Sequence, residues 1–267
     1  MSRVLTAFAF SALCSTVVAV PPAFAQRAIL PDVPEGVAAI SLLGTPIPLP
    51  TPSAAALKNL EMARAQHAQA SGDPEAIIWY GRRLGYAGRD REAIVVLTEG
   101  IGRFPEDPRL YRHRGHRYIS IRELDRAIAD FTKAAALVDG KPNEVEPDGA
   151  PNPFGIPVST LHHNIWYHLG LAYYLKHDWP KAQQAYDRAF GVARNGDNLA
   201  SITHWRYSIL RRMGRTHEQA MPVLEAVDAG TKVLENHNYL KLDRLYKGEL
   251  TPDEMLATAM GSADVAA

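Results

Sequence analysis

Arginines and aromatic rings form the first set of side chains in this sequence that could bind a ligand. Guanidinium groups pair bidentately with carboxylates or phosphates, and aromatic rings supply rigid apolar contact. If the segments that carry them are helices, these side chains fall on the face left free by packing. The set comprises Trp79, Arg82, Tyr86, Arg109, Arg112, His113, His116, Tyr167, His168, Tyr174, Trp205 and Arg212. It favours a groove for an acidic peptide or another anionic ligand.

Histidines form a second set. His113 and His116 are three residues apart and so share one helix face, while His162, His163 and His168 open the next helix of the same kind. Three imidazoles can bind zinc, but no H-E-x-x-H motif supports such a site. A metal-dependent enzyme using these histidines is therefore the alternative hypothesis. The main prediction has no metal site and no cofactor.

Familiar catalytic motifs are absent from the sequence. It contains no G-x-S-x-G, no P-loop and no G-x-G-x-x-G that follows a strand and opens a helix. The mature chain would also lack a catalytic thiol, because Cys14 is the only cysteine and lies in the N-terminal apolar segment. The sequence therefore predicts a binding protein, not an enzyme, with no catalytic residues.

A repeat of 34 residues must position these side chains. Gly81 and Gly115 are separated by this interval, as are Leu97 and Phe131. Small residues let two helices approach closely, and the large residues fill the spaces between them. The signature residues are therefore expected to serve packing.

The strongest repeat signature is Trp166-Tyr-His-Leu-Gly-Leu-Ala-Tyr173, which has the pattern W-x2-L-G-x2-Y and is followed by Ala182-x3-Tyr186. It resembles the tetratricopeptide repeat, a pair of antiparallel helices. The predicted fold is an all-α tetratricopeptide-repeat solenoid with N- and C-terminal capping helices. The resemblance implies a right-handed superhelix whose first helices line a concave groove that binds peptides or proteins. The predicted repeats cover about 74–107, 108–141, 163–196 and, in degenerate form, 198–230.

Four further segments resemble a group of exported bacterial tetratricopeptide proteins without an established activity. They are Tyr111–Tyr118, Glu146–Gly149, Leu210–Arg215 and Leu245–Pro252. No functional residues follow from this resemblance.

The N-terminal part is predicted to direct export. Residues 1–25 have a positive start, an apolar stretch and the cleavage motif Ala23-Phe-Ala25, as in a signal peptide. Residues 26–52 form a proline-rich linker, either a tether or a segment lying along the solenoid. Thr51 and Pro52 are predicted to open the helical domain at 53–260. The expected apolar stripe of this first helix is Leu57, Leu60, Met62, Ala63 and Ala68.

A proline-rich insertion at 142–162 separates the second and third repeats. We expect it to fold over the groove, with its acids facing Arg109 and Arg112 and with Phe154 and Ile156 as apolar anchors. Two interpretations remain open: the groove arginines bind an acidic partner, or acids within the fold neutralise them.

The C-terminal residues 231–260 are predicted to cap the array, and 261–267 to fray. Basic and acidic residues balance at 29 each, so no global field favours nucleic acid or an anionic membrane. No membrane span is expected after signal cleavage. The predicted partner is a protein or peptide in the periplasm or outside the cell.

Overall fold

The computed structural model describes residues 30–260, and the side chains of residues 30–256. The predicted signal peptide at 1–25 and the predicted frayed tail at 261–267 lie outside the described residues. Within this part the regular structure is helical apart from one short hairpin. None of the described helices has the length and apolar character needed to cross a bilayer.

Successive helices pack against each other along the chain. Three helix pairs, α2/α3, α4/α5 and α6/α7, correspond to the first three predicted repeats, and α8 starts the fourth. The helices are α1 Ala54–Gln69, α2 Pro74–Tyr86, α3 Asp90–Arg103, α4 Pro108–Ser120, α5 Leu124–Val138, α6 Leu161–Leu175, α7 Trp179–Gly191, α8 Gly196–Arg212, α9 His217–Ala220, α10 His237–Tyr246 and α11 Pro252–Met260.

Aspartates start three of these helices, as their sequence positions predict. The side chains of Asp73, Asp107 and Asp178 accept hydrogen bonds from backbone N–H groups in the first turns of α2, α4 and α7. A proline follows within two residues in each case, where the missing N–H costs nothing.

The N-cap residue of α1 and the set of its buried apolar residues both differ from the prediction. Ser53, not Thr51, is the N-cap, and its hydroxyl accepts the Ala56 N–H at 3.1 Å. Ser53 satisfies the orphan N–H groups equally well. Of the expected apolar stripe only Leu60 and Ala63 are buried, because α1 packs on one neighbour, α2, and needs only a narrow contact face.

Glycine on the first helix of each pair faces a large residue on the second. A Cβ at Gly81 would lie 2.8 Å from Leu97, and one at Gly170 would lie 2.7 Å from Tyr186. Gly115 and Phe131 form the same contact at the same spacing of sixteen residues. The glycines therefore mark the positions at which the two helices of a pair approach each other closely, and Gly81 and Gly115 are one 34-residue period apart.

The proline-rich segment before α1 lies along the solenoid and is not a free tether. Strand β1 (Val37–Ile40) pairs antiparallel with β2 (Pro46–Pro48). Ala39 is only 1% exposed and joins the core formed by α3 to α7. The Arg91 Nη1 donates to the Pro31 carbonyl at 2.8 Å.

The fourth repeat is incomplete. Its second helix is replaced by α9 and a 3-10 helix at Met221–Ala226, because Pro222 cannot continue an α-helix. Ala220 and Leu224 nevertheless pack in the predicted core positions. The chain then returns to α8, where the buried Asp197 carboxylate accepts the backbone N–H groups of 234–236 at 2.8–3.1 Å.

Candidate functional site

We call the side of the array formed by α2, α4, α6 and α8 the inner face. The connection between α5 and α6 covers part of this face, as predicted. We call residues 142–160 the strap. Arg82 Nη2 on α2 donates to the Pro147 carbonyl at 2.7 Å, and Arg83 Nη1 donates to the Gly149 carbonyl at 2.7 Å. An isolated antiparallel bridge between Val145 and Thr160 joins the two ends of the strap.

Glu146 is the central contact of the strap. Its carboxylate is 7% exposed and lies 2.9 Å from the Arg112 guanidinium on α4. Asn164 Nδ2 on α6 donates to the second carboxylate oxygen at 3.0 Å. Of the two interpretations, neutralisation of the arginine by an acid within the fold is therefore correct for Arg112.

The predicted apolar anchors of the strap are wrong. Phe154 is 65% exposed and Ile156 is 53% exposed. Hydrogen bonds hold this part of the chain instead, since Asn195 Nδ2 and Asn198 Nδ2 both donate to the carbonyl of the buried Val158. Sequence composition identifies apolar side chains but not the carbonyl groups that a neighbouring amide will reach.

His113, His116 and His168 form a polar layer with Arg112 and Arg117, in which Arg112 and His113 are buried and the others are partly buried. The His116 and His168 rings lie 4.5 Å apart. Burial, with Arg112 beside it, lowers the pKa of His168 to about 3. Burial also lowers the pKa of His113 and His116 well below the usual value, with help from the neighbouring arginines. These imidazoles are therefore neutral at physiological pH.

The described histidines are not arranged as a metal-binding site. The part of the chain that the structure describes holds no group of three His, Cys, Asp or Glu side chains placed to bind a metal ion. His163, one of the five histidines considered for zinc, stacks on Tyr167 with centroids 5.6 Å apart. The metal-dependent alternative finds no support here.

Three predicted aromatic residues come together further along the inner face. Trp205 Nε1 on α8 donates to the Tyr167 hydroxyl at 2.8 Å, and the Tyr174 and Trp205 rings meet edge to face. Tyr239 of α10 covers them, with its hydroxyl 3.1 Å from that of Tyr167. The returning C-terminal chain therefore fills this stretch of the inner face, which sequence reasoning did not predict.

Two predicted groove residues lie apart from the others. Arg109 stays at the start of α4, where it pairs with Asp107 and Glu75 at 2.7 and 2.6 Å. It does not meet the strap, because these acids are closer. Arg212 is exposed in the last turn of α8.

An open groove remains at the N-terminal end, between α1 and α2. It has a volume of about 610 Å³ and is lined by residues that include Met62 and Gln66 of α1 with Trp79 and Arg83 of α2. The Arg82 and Arg83 guanidiniums lie 4.2 and 5.0 Å from the Trp79 ring centroid. Tyr86, the other predicted residue of α2, is 43% exposed.

The two arginines at this end of the groove have no ion-pair partner among the described residues. Within the described part of the chain no carboxylate lies within 4.0 Å of the Arg82 or Arg83 nitrogens. Their polar partners are strap carbonyls, which carry no net charge. Two acids also line the groove. The Asp73 carboxylate accepts the Glu75 N–H as the N-cap of α2, and the Glu75 carboxylate accepts from Trp79 Nε1 and pairs with Arg109.

Known structures contain the same array of helix pairs. TTC0263, a thermophilic tetratricopeptide-repeat protein of Thermus thermophilus, matches at 17% identity and a TM-score of 0.51, over 70% of this chain and 89% of that one. This is a tetratricopeptide-repeat fold. A chain of the APC/C hetero-tetramer Cut9–Hcn1 also matches at 17% identity, with a TM-score of 0.50, over 78% of this chain and 38% of that one. Comparisons with protein-family models and with curated protein sequences gave no match.

Sequence reasoning missed Arg83 as a groove residue in this tetratricopeptide-repeat fold. The signal was available, because Trp79 and Arg83 are four residues apart and so share a helix face. Asp197 and Tyr239 were missed for another reason. Asp197 contacts a residue 37 positions away, and Tyr239 contacts one 72 positions away. No local sequence pattern predicts such contacts.

Proposed function

We propose that this protein is an exported, non-catalytic scaffold that binds an extended segment of a partner protein in the α1–α2 groove. The partner segment places an acidic side chain against Arg83 and an apolar side chain against the Trp79 ring. One observation carries this proposal: Arg83 and the partly buried indole of Trp79 border an open groove, and no acid within the described chain neutralises that guanidinium.

The Trp79–Arg83 corner has the composition of an interface hot spot. Trp and Arg are the residues that most often dominate binding energy, particularly where the ring is already packed and loses little entropy. The indole is fixed by its hydrogen bond to Glu75 at 2.8 Å and by the guanidinium groups beside it. Arg83 uses one nitrogen for the strap, which leaves other donors for a carboxylate.

The rest of the inner face supports the choice of this end. The strap and the α10 segment already cover α4, α6 and α8 through Glu146, Asn164 and Tyr239. A partner that used the inner face there would first have to displace these buried contacts. A partner at the α1–α2 groove needs no such rearrangement.

Peptide selection tests the proposal without knowledge of the natural partner. A library of random twelve-residue peptides displayed on phage is selected on the immobilised full chain. We expect enriched peptides to carry Asp or Glu beside an apolar residue. Their affinity should fall by about tenfold or more in Trp79→Ala, the loss typical of an aromatic hot spot, and should weaken with rising salt.

Two further variants make this test specific. Arg83→Gln removes the charge at the groove and should reduce binding, whereas Arg64→Gln removes an α1 arginine outside the groove lining and should leave binding unchanged. Circular dichroism confirms that each variant is folded. Peptides that bind Trp79→Ala and Arg83→Gln as well as the unaltered chain would refute the site.

Export is tested separately, because the predicted signal peptide lies outside the described residues. Mass spectrometry of the protein from producing cells should find Gln26 as the mature N-terminus. Detection of Met1 on the chain in the cytoplasm would refute export and leave the binding site untouched.

A further inference from the structure

A small, partly open cavity lies between α2 and α4. Its volume is about 10 Å³, which is room for one atom-sized occupant. Gly81 and Leu97 form its apolar wall. The remaining lining is polar and consists of Arg82, Tyr86, Arg112, His113, His116 and Arg117.

Three guanidinium groups converge on this cavity, but only two of them have a carboxylate. Arg112 pairs with Glu146 at 2.9 Å, and Arg117 pairs with Asp90 at 3.1 Å. Arg82 is 9% exposed, and its hydrogen bond goes to a strap carbonyl. The cavity therefore carries one positive charge more than its ion pairs balance. A buried charge without a counter-charge is costly.

The hydrogen-bond pattern leaves one guanidinium donor at the cavity without an acceptor. Arg112 Nη1 donates to His113 Nδ1 at 3.1 Å, and Arg117 Nη2 donates to His116 Nδ1 at 2.8 Å. Arg112 itself is 8% exposed, and its Nε has no hydrogen-bond partner among the described residues. A buried donor in this state needs an acceptor.

We propose that this cavity binds a monatomic anion, chloride under physiological conditions, which neutralises Arg82 and accepts from the surrounding guanidinium groups. The size of the cavity selects a single atom over phosphate, sulfate or a carboxylate. The excess positive charge favours an anion over a water molecule. The cavity and the α1–α2 groove share no lining residue, although the Arg82 guanidinium also contacts the Trp79 ring.

Asp148 is the competing source of negative charge. This half-buried acid feels the charge of Arg82, and one of its carboxylate oxygens has no hydrogen-bond partner in the described chain. Its carboxylate does not come within 4.0 Å of the Arg82 nitrogens. If Asp148 turned towards Arg82, it would replace the proposed anion.

Thermal unfolding in matched salts tests the proposal. At constant ionic strength, chloride should raise the Tm of the full chain above its value in gluconate by ~2–4 °C, with saturation as the chloride concentration rises. Arg82→Gln should abolish this difference. Arg83→Gln is the matched control, because Arg83 also contacts Trp79 and a strap carbonyl but does not line the cavity. It should retain the difference.

Crystals grown or soaked in bromide decide the matter even if Arg82→Gln does not fold. An anomalous peak among Arg82, Arg112 and Arg117 would support the proposal. A water molecule there, or the Asp148 carboxylate paired with Arg82, would overturn it. Equal Tm values in chloride and gluconate would overturn it as well.

Discussion

Asp243 on α10 is a buried acid without hydrogen-bond donors. It is 0% exposed, and neither carboxylate oxygen has a partner among the described residues. Burial raises its pKa to about 8, although the charge of Lys247 opposes the shift. Since an unfolded aspartate titrates near pH ~4, the folded chain retains a proton that the unfolded chain loses between these values.

The protonation of Asp243 makes the stability of the fold depend on pH. The contribution is fully present below pH ~4 and is lost as pH rises to about 8. We expect Asp243→Asn to remove this dependence, which amounts to at most ~1.4 kcal/mol per pH unit for one proton. Chemical denaturation at intervals from pH 5 to pH 9 measures it.

The matched control is Asp253→Asn, which changes an exposed acid on α11. This variant should keep the slope of the unaltered chain between pH 5 and pH 8. The interpretation fails if Asp243→Asn and Asp253→Asn show the same dependence of the unfolding free energy on pH.

At the scale of single residues, the sequence predicted types of contact better than individual partners. Glu146 belonged to the acids expected to face the arginines, and it pairs with Arg112. Nothing in the sequence indicated that Asp243 is buried, because an aspartate on an amphipathic helix normally faces water. Its environment depends on the return of α10 over α8, a contact between distant parts of the chain.

At the scale of elements, the strap is divided into a fixed half and an exposed half. Around 145–149 the chain is held by Arg82, Arg83 and the Val145–Thr160 bridge. A Cβ at Gly149 would overlap the Tyr86 ring, so a side chain there would force either the ring or the strap to move. Phe154 and Ile156 mark the exposed half.

We expect Gly149→Val to lift the fixed half from α2 and open it to proteolysis. A glutamate-specific protease should cut after Glu144 at least ~10-fold faster in this variant than in the unaltered chain, because cleavage of a folded segment requires local opening. Mass spectrometry of timed digests follows the fragments.

Ala150→Val controls for the added bulk, since Ala150 is the exposed neighbour of Gly149. It should be cut as slowly as the unaltered chain. Rapid cleavage after Glu144 in the unaltered chain, without unfolding, would show that the strap does not hold its position over α2.

The elements themselves could be predicted where local rules decide them. Helix starts at Asp73 and Asp107 follow from side-chain capping and from proline at the first helical position. The hairpin at Val37–Pro48 could not be predicted, because its prolines suggest an extended linker and its pairing depends on the surface that receives it. Both proline positions are tolerated in a two-stranded sheet, which has only edge strands.

At the scale of the whole molecule, the two ends of the array differ in how firmly they are attached. The N-terminal hairpin places Ala39 in the core, with Leu30 and Ile47 packed beside it. By contrast, α11 contacts α10, and among its described side chains Leu256 is 61% exposed. In an array of stacked repeats, each unit is stabilised mainly by its neighbours, so the hairpin acts as a side cap on the repeats that share its core cluster.

We therefore expect removal of the hairpin to destabilise the protein more than removal of α11. A chain of residues 53–267 should lose roughly 2–4 kcal/mol relative to 26–267, because burial of one large aliphatic side chain contributes ~1.5–3 kcal/mol. For a domain of this size the Tm should fall by roughly 4–16 °C. A chain of residues 26–251 should change little. Circular dichroism at 222 nm follows all three chains, and equal Tm values for 53–267 and 26–267 would mean that the hairpin does not contribute to the core.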